Sequence, residues 1–327
     1  MAPPSKDEVL YWLRPKDVES EVYVHSRSFF SRYKEISALT DEEIEDLIYK
    51  EHIYISKSEL REIVYATLEA FNFKPKGIGL ELGAGCAAIS VELARDTREI
   101  EKIFAVEIVP EIVEMAQTSL IRIAGVQNRV IPVLGDFDNL KVEDESIDWI
   151  IEFDSLHHSF DLERTAKESY RVLKEGGTLI AIDRAHWNTS RERMRSLENE
   201  PYSKEFLLTR GWDPNTKITR ADNGEHEHLV SDYQKHFLKA GFKSFKWENL
   251  IAPELSILRL SLISAIPWRL RASTRYRYIQ MWPLWKVFLP VLLFRLGLRE
   301  KYRNFVKLPR AKNSKRFQSK TIFCITK

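Results

Sequence analysis

The sequence predicts an α/β fold built on a doubly wound sheet, and three observations lead to that prediction. Between residues 77 and 183, short apolar strands alternate with helical segments, which is typical of a parallel sheet with helices on both faces. A glycine-rich turn joins the first of these strands to the helix that follows it. Polar side chains follow the later strands, at the edge where such sheets bind ligands.

The first 75 residues are predicted to form a helical N-terminal cap. The segment LTDEEIEDLIYK begins with a candidate N-cap at Thr40, followed by acidic residues in the first turn. The segment SELREIVYATLEAFNF carries apolar residues at helical spacing, and Pro75 ends it. A core domain is then expected over residues 76–250.

Within this core, each element is assigned from its apolar pattern and its flanking residues. The expected strands are GIGLELGAG, KIFAVEIV, RVIPVLGD, IDWIIEFD, TLIAIDR and KSFKWENL. The expected helices are AAISVELARD, PEIVEMAQTSLIRIAG, LERTAKESYRVLKEGG and SDYQKHFLKAGF. Gly125 ends the second of these helices, and Gly176–Gly177 are expected to end the third. Residues 319–327, which contain the segment KTIFCITK, are predicted to return to the core as its final strand.

The glycine turn GLELGAGCAAIS indicates a ligand site. Gly83 and Gly85 allow the backbone to approach a ligand closely, and the next helix points free N–H groups at that spot. Glu107 lies 22 positions after Gly85, close to the roughly 20 expected for an acid that binds ribose hydroxyls. These features suit either a dinucleotide or a ligand that has no phosphate.

Further features favour a ligand without phosphate. Glu81 lies two residues before the glycines, where a carboxylate repels a pyrophosphate and favours a cation. Asp136 ends the third strand, where it can accept from an adenine amino group, and EFDSLHH ends the fourth strand with polar groups. LKEGGTLIAID then leads into the fifth strand.

This series of motifs resembles the class I S-adenosylmethionine-dependent methyltransferases over residues 77–183. The resemblance implies a seven-stranded sheet, mostly parallel with an antiparallel last strand, and S-adenosylmethionine as cofactor. It implies roles for nine residues: Glu81, Gly83, Ala84 and Gly85 around the methionine part, Glu107 with Ile108 at the ribose, Asp136 and Phe137 at the adenine, and Asp154 at the methyl-transfer end. The sequence departs from many relatives at Ala87–Ala88. No metal is expected.

Methyl transfer to a small-molecule or lipid-linked acceptor, at an oxygen, is the activity that this resemblance implies. A hydroxyl acceptor gains from a general base, and the candidates are His157, His158 and His186, with His158 preferred by position. Glu225, His226 and His228 are assigned to a charged loop, with a divalent metal site formed by these residues as the alternative. Two other functions remain open: an NAD-dependent oxidoreductase, and a methyltransferase-like binding protein without activity.

Charge is distributed very unevenly along the chain. From residue 251 to the end there are seventeen Lys and Arg against two acidic residues, about +15, which leaves about −13 for residues 1–250. Residues 251–318 are also rich in Trp and Leu and are predicted to be an insertion. It is either a lid that packs on the protein or a contact with an anionic membrane surface. Nucleic acid is disfavoured because the segment lacks the patterning of RNA-binding modules; the oligomeric state is left open.

The location is predicted from three absences in the sequence. There is no signal-peptide core at the N-terminus, no apolar stretch of about 18 residues, and no disulfide framework, since Cys86 and Cys324 are the only cysteines. A cytoplasmic protein is therefore expected, docked peripherally at the inner face of the membrane if the insertion contacts lipid.

Overall fold

Eight strands form one sheet in the part of the chain that the computed structural model describes, namely residues 9–15, 31–49, 56–186, 190–209, 212–250 and 320–327. In chain order they are β1 (Leu10–Tyr11), β2 (Gly77–Leu82), β3 (Ile100–Glu107), β4 (Val130–Leu134), β5 (Ile147–Phe153), β6 (Leu173–Arg184), β7 (Ser244–Leu250) and β8 (Lys320–Thr326). Their order across the sheet is β1-β4-β3-β2-β5-β6-β8-β7.

The sheet is mostly parallel, as predicted. The pairs β1–β4, β4–β3, β3–β2, β2–β5 and β5–β6 are all parallel, and the C-terminal strands are antiparallel. Strands β2 to β8 are the seven that the sequence predicts. β1 is an additional edge strand within the segment that was expected to be helical, and it pairs Leu10 with Val133 and Tyr11 with Leu134.

Eight α-helices accompany the sheet in the described residues. They are α1 (Asp41–Leu47), α2 (Lys57–Ala70), α3 (Ala88–Asp96), α4 (Thr118–Ala124), α5 (Leu162–Val172), α6 (Arg191–Glu198), α7 (Lys204–Thr209) and α8 (Val230–Ala240). Shorter helical turns cover Ser31–Ala38, Leu156–His158 and Ala221–Asn223, and a π-helical turn, Ile112–Gln117, runs directly into α4.

Local sequence signals account for several helix ends. Thr40 caps α1, since its Oγ1 accepts from Glu43 N at 3.3 Å while Glu43 Oε2 accepts from Thr40 N at 2.8 Å. Gly125, with φ +68°, ends α4 in the left-handed conformation. Both signals were predicted from the sequence, and both are confirmed.

The central strands β2, β5 and β6 form the middle of the core. Leu80, Ile150 and Leu179 are completely buried, which is typical of parallel strands covered by helices on both faces. The sheet belongs to one of two units into which the contacts divide the chain, and α2 from Ser58 onwards belongs to the other. In α2, the buried residues Leu60, Ile63, Val64 and Leu68 recur at helical spacing.

The third predicted helix ends earlier than the sequence suggested. α5 stops at Val172 rather than at Gly176–Gly177, because Leu173 is completely buried and already pairs with Ile147 of β5. The residues LKEGG therefore open β6, and Gly176 takes a positive φ of +77° there. A buried contact made at long range has prevailed over the local helix signal.

The predicted insertion, residues 251–318, lies outside the described residues, so its role as lid or membrane contact stays a prediction. Within the described part of the chain, no helix has the length and apolar character needed to cross a bilayer. Cys86 and Cys324 are both buried and form no disulfide.

Candidate active site

The candidate site lies where the strand order reverses. β2 has β3 on one side and β5 on the other, so the chain leaves β2 toward one edge of the sheet and later returns to continue toward the other. The crevice at the carboxyl ends of strands beside such a reversal is the usual ligand site of doubly wound sheets. The predicted site residues lie near the ends of β2 and β3 or in the segments that follow β2 to β6.

The glycine loop after β2 presents backbone to this crevice. Gly83 and Gly85 have φ values of +58° and +49°, a region that favours glycine. A Cβ on Gly83 would lie 2.4 Å from Cβ of Ser155, so only glycine fits against the β5 loop. The loop is also held by Ala84 N, which donates to the Val106 carbonyl at 2.8 Å.

Glu81 caps helix α3 from the middle of the sheet. Its Oε2 accepts from Ser90 N at 3.0 Å and also from Ser90 Oγ. Ala87, the residue before α3, has φ +60° and provides no side-chain cap, so Glu81 supplies the missing acceptor. Burial raises the pKa of Glu81 to about 7, and the charge of Glu107 adds to this rise. Its predicted place beside the methionine part stays a prediction.

Glu107, at the end of β3, gathers three backbone N–H groups. Its Oε2 accepts from Gly85 at 3.0 Å, and its Oε1 accepts from Ile108 at 2.8 Å and Val109 at 3.0 Å. Burial raises the pKa of Glu107, and these three hydrogen bonds oppose the rise. Because a carboxylate oxygen can accept two hydrogen bonds, Oε2 retains capacity for a ligand hydroxyl.

The loop after β4 is anchored by a residue that was not predicted. Oδ1 of Asp136 accepts from the Asp138 backbone N at 2.8 Å, and Phe137 packs partly buried against the core. Asp138 is only 4% exposed and accepts from Oγ1 of Thr165 on α5. Burial raises its pKa to about 6. Asp138 thus fixes the loop that carries Asp136 and Phe137.

The residues around the glycine loop fit the cofactor that the resemblance implies. The loop offers close backbone approach, Glu107 keeps acceptor capacity at the end of β3, and an acid and an aromatic side chain follow β4. A pyrophosphate at this loop would instead be repelled by the carboxylate of Glu107, which is bonded to the loop backbone.

His157, at the end of β5, has both ring nitrogens engaged. Its Nδ1 lies 2.6 Å from Oδ1 of Asp183, and its Nε2 contacts the guanidinium of Arg184. A guanidinium can only donate, so Nε2 accepts and Nδ1–H donates to Asp183. Asp183 is itself fixed, because its Oδ2 accepts from Tyr233 OH at 2.9 Å. Burial, followed by the charge of Arg184, holds the pKa of His157 far below its usual range.

Arg184 connects the two loops that flank this cluster. Its Nε donates to Asp154 at 3.2 Å and its Nη1 donates to Glu225 at 2.9 Å. Glu225 also accepts from Tyr202 OH at 2.8 Å. Burial is the largest single influence and acts to raise the pKa of Glu225, but the charge of Arg184, the neighbouring histidines and the hydrogen bond from Tyr202 together lower the pKa below its usual range. Asp154, predicted at the methyl-transfer end, has φ +56° and remains 36% exposed.

His158 and His186 differ from His157 in that each keeps a ring nitrogen without a partner among the described residues. Nδ1 of His158 lies 3.0 Å from the Gly224 carbonyl, which can only accept, so Nδ1 carries the proton and Nε2 carries a lone pair. The His158 ring lies 4.3 Å from that of His157. Burial, followed by the proximity of His157, lowers the pKa of His158 to about 3. His186 is tied instead to Glu227, in the loop before α8.

One group of potential metal ligands occurs in the described residues: Asp154, His157 and Asp183, whose ligand atoms lie within 4.8 Å of one another. Arg184 supplies a positive charge there, since its side chain binds Asp154 and His157 and its backbone N donates to Asp183 at 2.7 Å. Nδ1 of His157 is also protonated toward Asp183. This group is therefore a satisfied ion-pair cluster. His226 and His228 have ring centres 6.3 Å apart and form no such group.

Sequence reasoning missed the residues that fix the predicted ones. These are Ser155 beneath Gly83, Asp138 beside Asp136, and Asp183, Arg184 and Glu225 around His157. A signal existed for Asp183 and Arg184, because they end the predicted strand TLIAIDR at the ligand edge. Glu225 was predicted only as an alternative metal ligand with His226 and His228, because its contact with Arg184 spans 41 residues and leaves no local signal.

One family model and several solved structures are similar to this chain. Residues 80–181, from β2 into β6, match a family model described as a methyltransferase domain. Among solved structures, one from Thermotoga maritima, described as an S-adenosylmethionine-dependent methyltransferase and possible histamine N-methyltransferase, is 17% identical with a TM-score of 0.44 and covers 93% of this chain and 99% of its own. The YcgJ protein of Bacillus subtilis is 17% identical with a TM-score of 0.46, covering 82% and 98%.

A third solved structure is the phosphoethanolamine N-methyltransferase 2 of Haemonchus contortus in complex with phosphomonomethylethanolamine and S-adenosylhomocysteine. It is 15% identical with a TM-score of 0.45 and covers 91% of this chain and 59% of its own. At these identities the likenesses concern the fold, and they say nothing about which molecule this chain acts on.

Proposed function

We propose, from the premise that this chain is an S-adenosylmethionine-dependent methyltransferase whose residues 80–181 match a methyltransferase domain, that it methylates an oxygen of a small-molecule or lipid-linked acceptor. The cofactor supplies the electrophilic methyl group when it is bound. The protein has to align the acceptor with that methyl group, exclude water and accept the acceptor's proton.

The lone pair on Nε2 of His158 is the observation that supports an oxygen acceptor. The Gly224 carbonyl fixes the tautomer, so the same nitrogen always faces away from that bond as an acceptor. With a pKa of about 3, His158 is uncharged at neutral pH and is always in its accepting form. His157 is less suitable, because Asp183 and Arg184 engage both of its nitrogens.

The low pKa of His158 also favours one class of hydroxyl. A base of low pKa removes a proton efficiently only from a group that is already acidic. A phenol or an enol fits this condition better than an alkyl alcohol does. We therefore favour an aromatic or enolic hydroxyl, borne by a small molecule or by a lipid-linked ring. The lipid-linked form rests on the composition of residues 251–318.

Calorimetry with S-adenosylhomocysteine and with NADH on the same protein tests the cofactor, and only the first should bind. A methyl-transfer assay then compares phenols, enols, alkyl alcohols and amines with the same ring systems. Methylation of the hydroxyl in the first two classes supports the proposal. Methylation of amines alone would overturn it, and binding of S-adenosylhomocysteine with no turnover of any class would favour the inactive binding protein.

Replacing His158 tests its role. We expect His158→Gln to lower kcat by about 10²-fold, in the range typical of a lost general base, while affinity for S-adenosylhomocysteine stays unchanged. His186→Gln is the matched control, because His186 was also a candidate and is tied to Glu227. If His186→Gln lowers kcat and His158→Gln does not, His186 is the base and the assignment to His158 is wrong.

A further inference from the structure

The two peptide groups that flank Gly85 are both held by side chains. Gly85 N donates to Oε2 of Glu107 at 3.0 Å, and the Gly85 carbonyl accepts from Nε2 of Gln117 at 2.7 Å. The first bond fixes the peptide before Gly85 and the second fixes the peptide after it. Glycine samples more backbone conformations than any other residue, so these two bonds restrict the torsions that its missing Cβ leaves free.

Gln117 reaches this carbonyl from an unusual turn. It is the last residue of the π-helical turn Ile112–Gln117, in a segment whose sequence predicts a regular α-helix. π-helical turns occur mostly as single insertions within α-helices and frequently at functional sites. Here the turn ends with Gln117, and α4 continues from Thr118.

The environment of Gln117 is unfavourable for a polar side chain apart from this one bond. The residue is completely buried, and its Oε1 has no donor among the residues that the structure describes. A buried acceptor without a donor destabilises the fold, so an apolar side chain of similar size would suit the packing better. The bond to Gly85 is the compensating interaction that the structure provides.

We propose that Gln117 is a positioning residue for the cofactor, acting through Gly85. By holding the Gly85 carbonyl while Glu107 holds the Gly85 N–H, it keeps the glycine loop in its binding conformation before the cofactor arrives. Preorganising a loop in this way strengthens binding, because less conformational freedom is lost on complex formation. The inference rests on the proposed seat of the cofactor at this loop.

The variant Gln117→Leu removes the donor and keeps a side chain of similar size. We expect the dissociation constant of S-adenosylhomocysteine to rise at least tenfold, measured by calorimetry on the full chain. In the protein without cofactor, amide hydrogen exchange over residues 83–87 should become faster, while exchange in β5 and β6 stays unchanged. The proposal is overturned if the variant binds within twofold of the wild type, or if the exchange of the loop does not change.

The variant Gln117→Glu gives a second test that separates positioning from packing. A protonated glutamic acid donates to the Gly85 carbonyl as glutamine does, whereas an ionised one repels it. The variant should therefore bind S-adenosylhomocysteine almost as well as the wild type at pH 6 and progressively worse toward pH 9. The titratable groups around the same loop are Glu81, Glu107, Cys86 and Tyr33, and they are present in both proteins. The dissociation constant of the variant is therefore divided by that of the wild type at each pH, so that their own titration cancels.

The control for this series is Gln127→Glu, the same change at an exposed position. Its dissociation constant for S-adenosylhomocysteine, divided by that of the wild type, should stay near one at every pH. A Gln117→Glu variant that is as weak at pH 6 as at pH 9 would contradict the proposal. If the wild type itself does not bind S-adenosylhomocysteine, the proposed function fails instead. The exchange measurement on the cofactor-free protein still decides whether Gln117 orders the loop.

Discussion

At the scale of single residues, Gly83 in the glycine loop and Gly176 in β6 show two different reasons for a glycine. Gly83 and Gly176 both have positive φ, at +58° and +77°. A Cβ at Gly83 would collide with Ser155, whereas a Cβ at Gly176 would meet nothing within 4 Å. Backbone strain is therefore common to both positions, and the steric conflict belongs to Gly83 alone.

This difference predicts the effect of alanine at each position. Gly83→Ala should weaken S-adenosylhomocysteine binding by at least tenfold, about 1.4 kcal/mol or more, because the glycine loop must move away from Ser155. Calorimetry measures this directly. Gly176→Ala should lower the free energy of unfolding by about 1 kcal/mol because of backbone strain. Its affinity for S-adenosylhomocysteine should not change. Equal affinities for the two variants would show that the contact with Ser155 does not shape the site.

At the scale of elements, one buried lysine joins β8 to the end of α5. Nζ of Lys327 donates to the carbonyls of Tyr170 and Leu173 at 3.0 and 2.7 Å, and it lies 3.1 Å from Glu145. Its side chain is 4% exposed. A cation at a helix C-terminus is favourable, and here it also satisfies carbonyls that helix geometry leaves without a donor.

Removing this cation should destabilise the fold. Lys327→Met should lower the free energy of unfolding by about 2–4 kcal/mol, because buried carbonyls lose their donor. Chemical denaturation measures the difference. Lys243→Met is the control, since Lys243 pairs with Glu175 where both side chains are more than 60% exposed, and its loss should change the free energy of unfolding far less than Lys327→Met does. Similar losses for both variants would argue against a special role for the buried site.

At the scale of the whole molecule, the sheet contains acids whose pKa values are raised by burial. Glu152 is completely buried, and burial followed by the charge of Asp183 raises its pKa to about 8. Burial raises the pKa of Asp183 and Glu81 as well. These groups bind protons more tightly in the folded state than in the unfolded state. Their contribution to stability is therefore complete below a pH of about 4.5 and is lost as the pH rises through their folded pKa values.

The thermal midpoint of the cofactor-free protein should accordingly fall between pH 6 and pH 8.5. Glu152→Gln should flatten this fall, because the neutral amide keeps the bonds from Ser155 and removes the charge. Scanning calorimetry across the pH range measures both profiles. Glu101→Gln, an exposed change on β3, should leave the wild-type slope unaltered. A Glu152→Gln profile as steep as the wild type would assign the pH dependence to other groups.

The elements set by local signals were predictable from the sequence, and those set by distant contacts were not. The glycine turn, the Thr40 cap and the apolar strands carry their signals within a few residues. β1 has two residues and forms only because the edge of β4 accepts it. The early end of α5 depends on Leu173 meeting Ile147, a contact that no window of sequence around α5 contains.

The candidate site divides in the same way. The positions of Gly83, Gly85 and Glu107 follow from a motif with regular spacing, and the structure brings them together. What the side chains do there was less predictable. Glu81 caps α3, which Ala87 leaves without a side-chain cap, whereas its position in the motif predicted a contact with the ligand. His157 is engaged by partners 26 and 27 residues away, so its nitrogens could not be assigned from the sequence.

The hydrogen bonds of Asp183 limit how this protein could acquire a new acceptor. The carboxylate of Asp183 accepts hydrogen bonds from His157 in the loop after β5, from the backbone N of Arg184 and from Tyr233 of α8. Exchanging the histidine or the tyrosine would leave the Asp183 carboxylate with unmatched lone pairs in the interior. A change of acceptor would therefore require these residues to be replaced together, or to be kept while residues outside the cluster change.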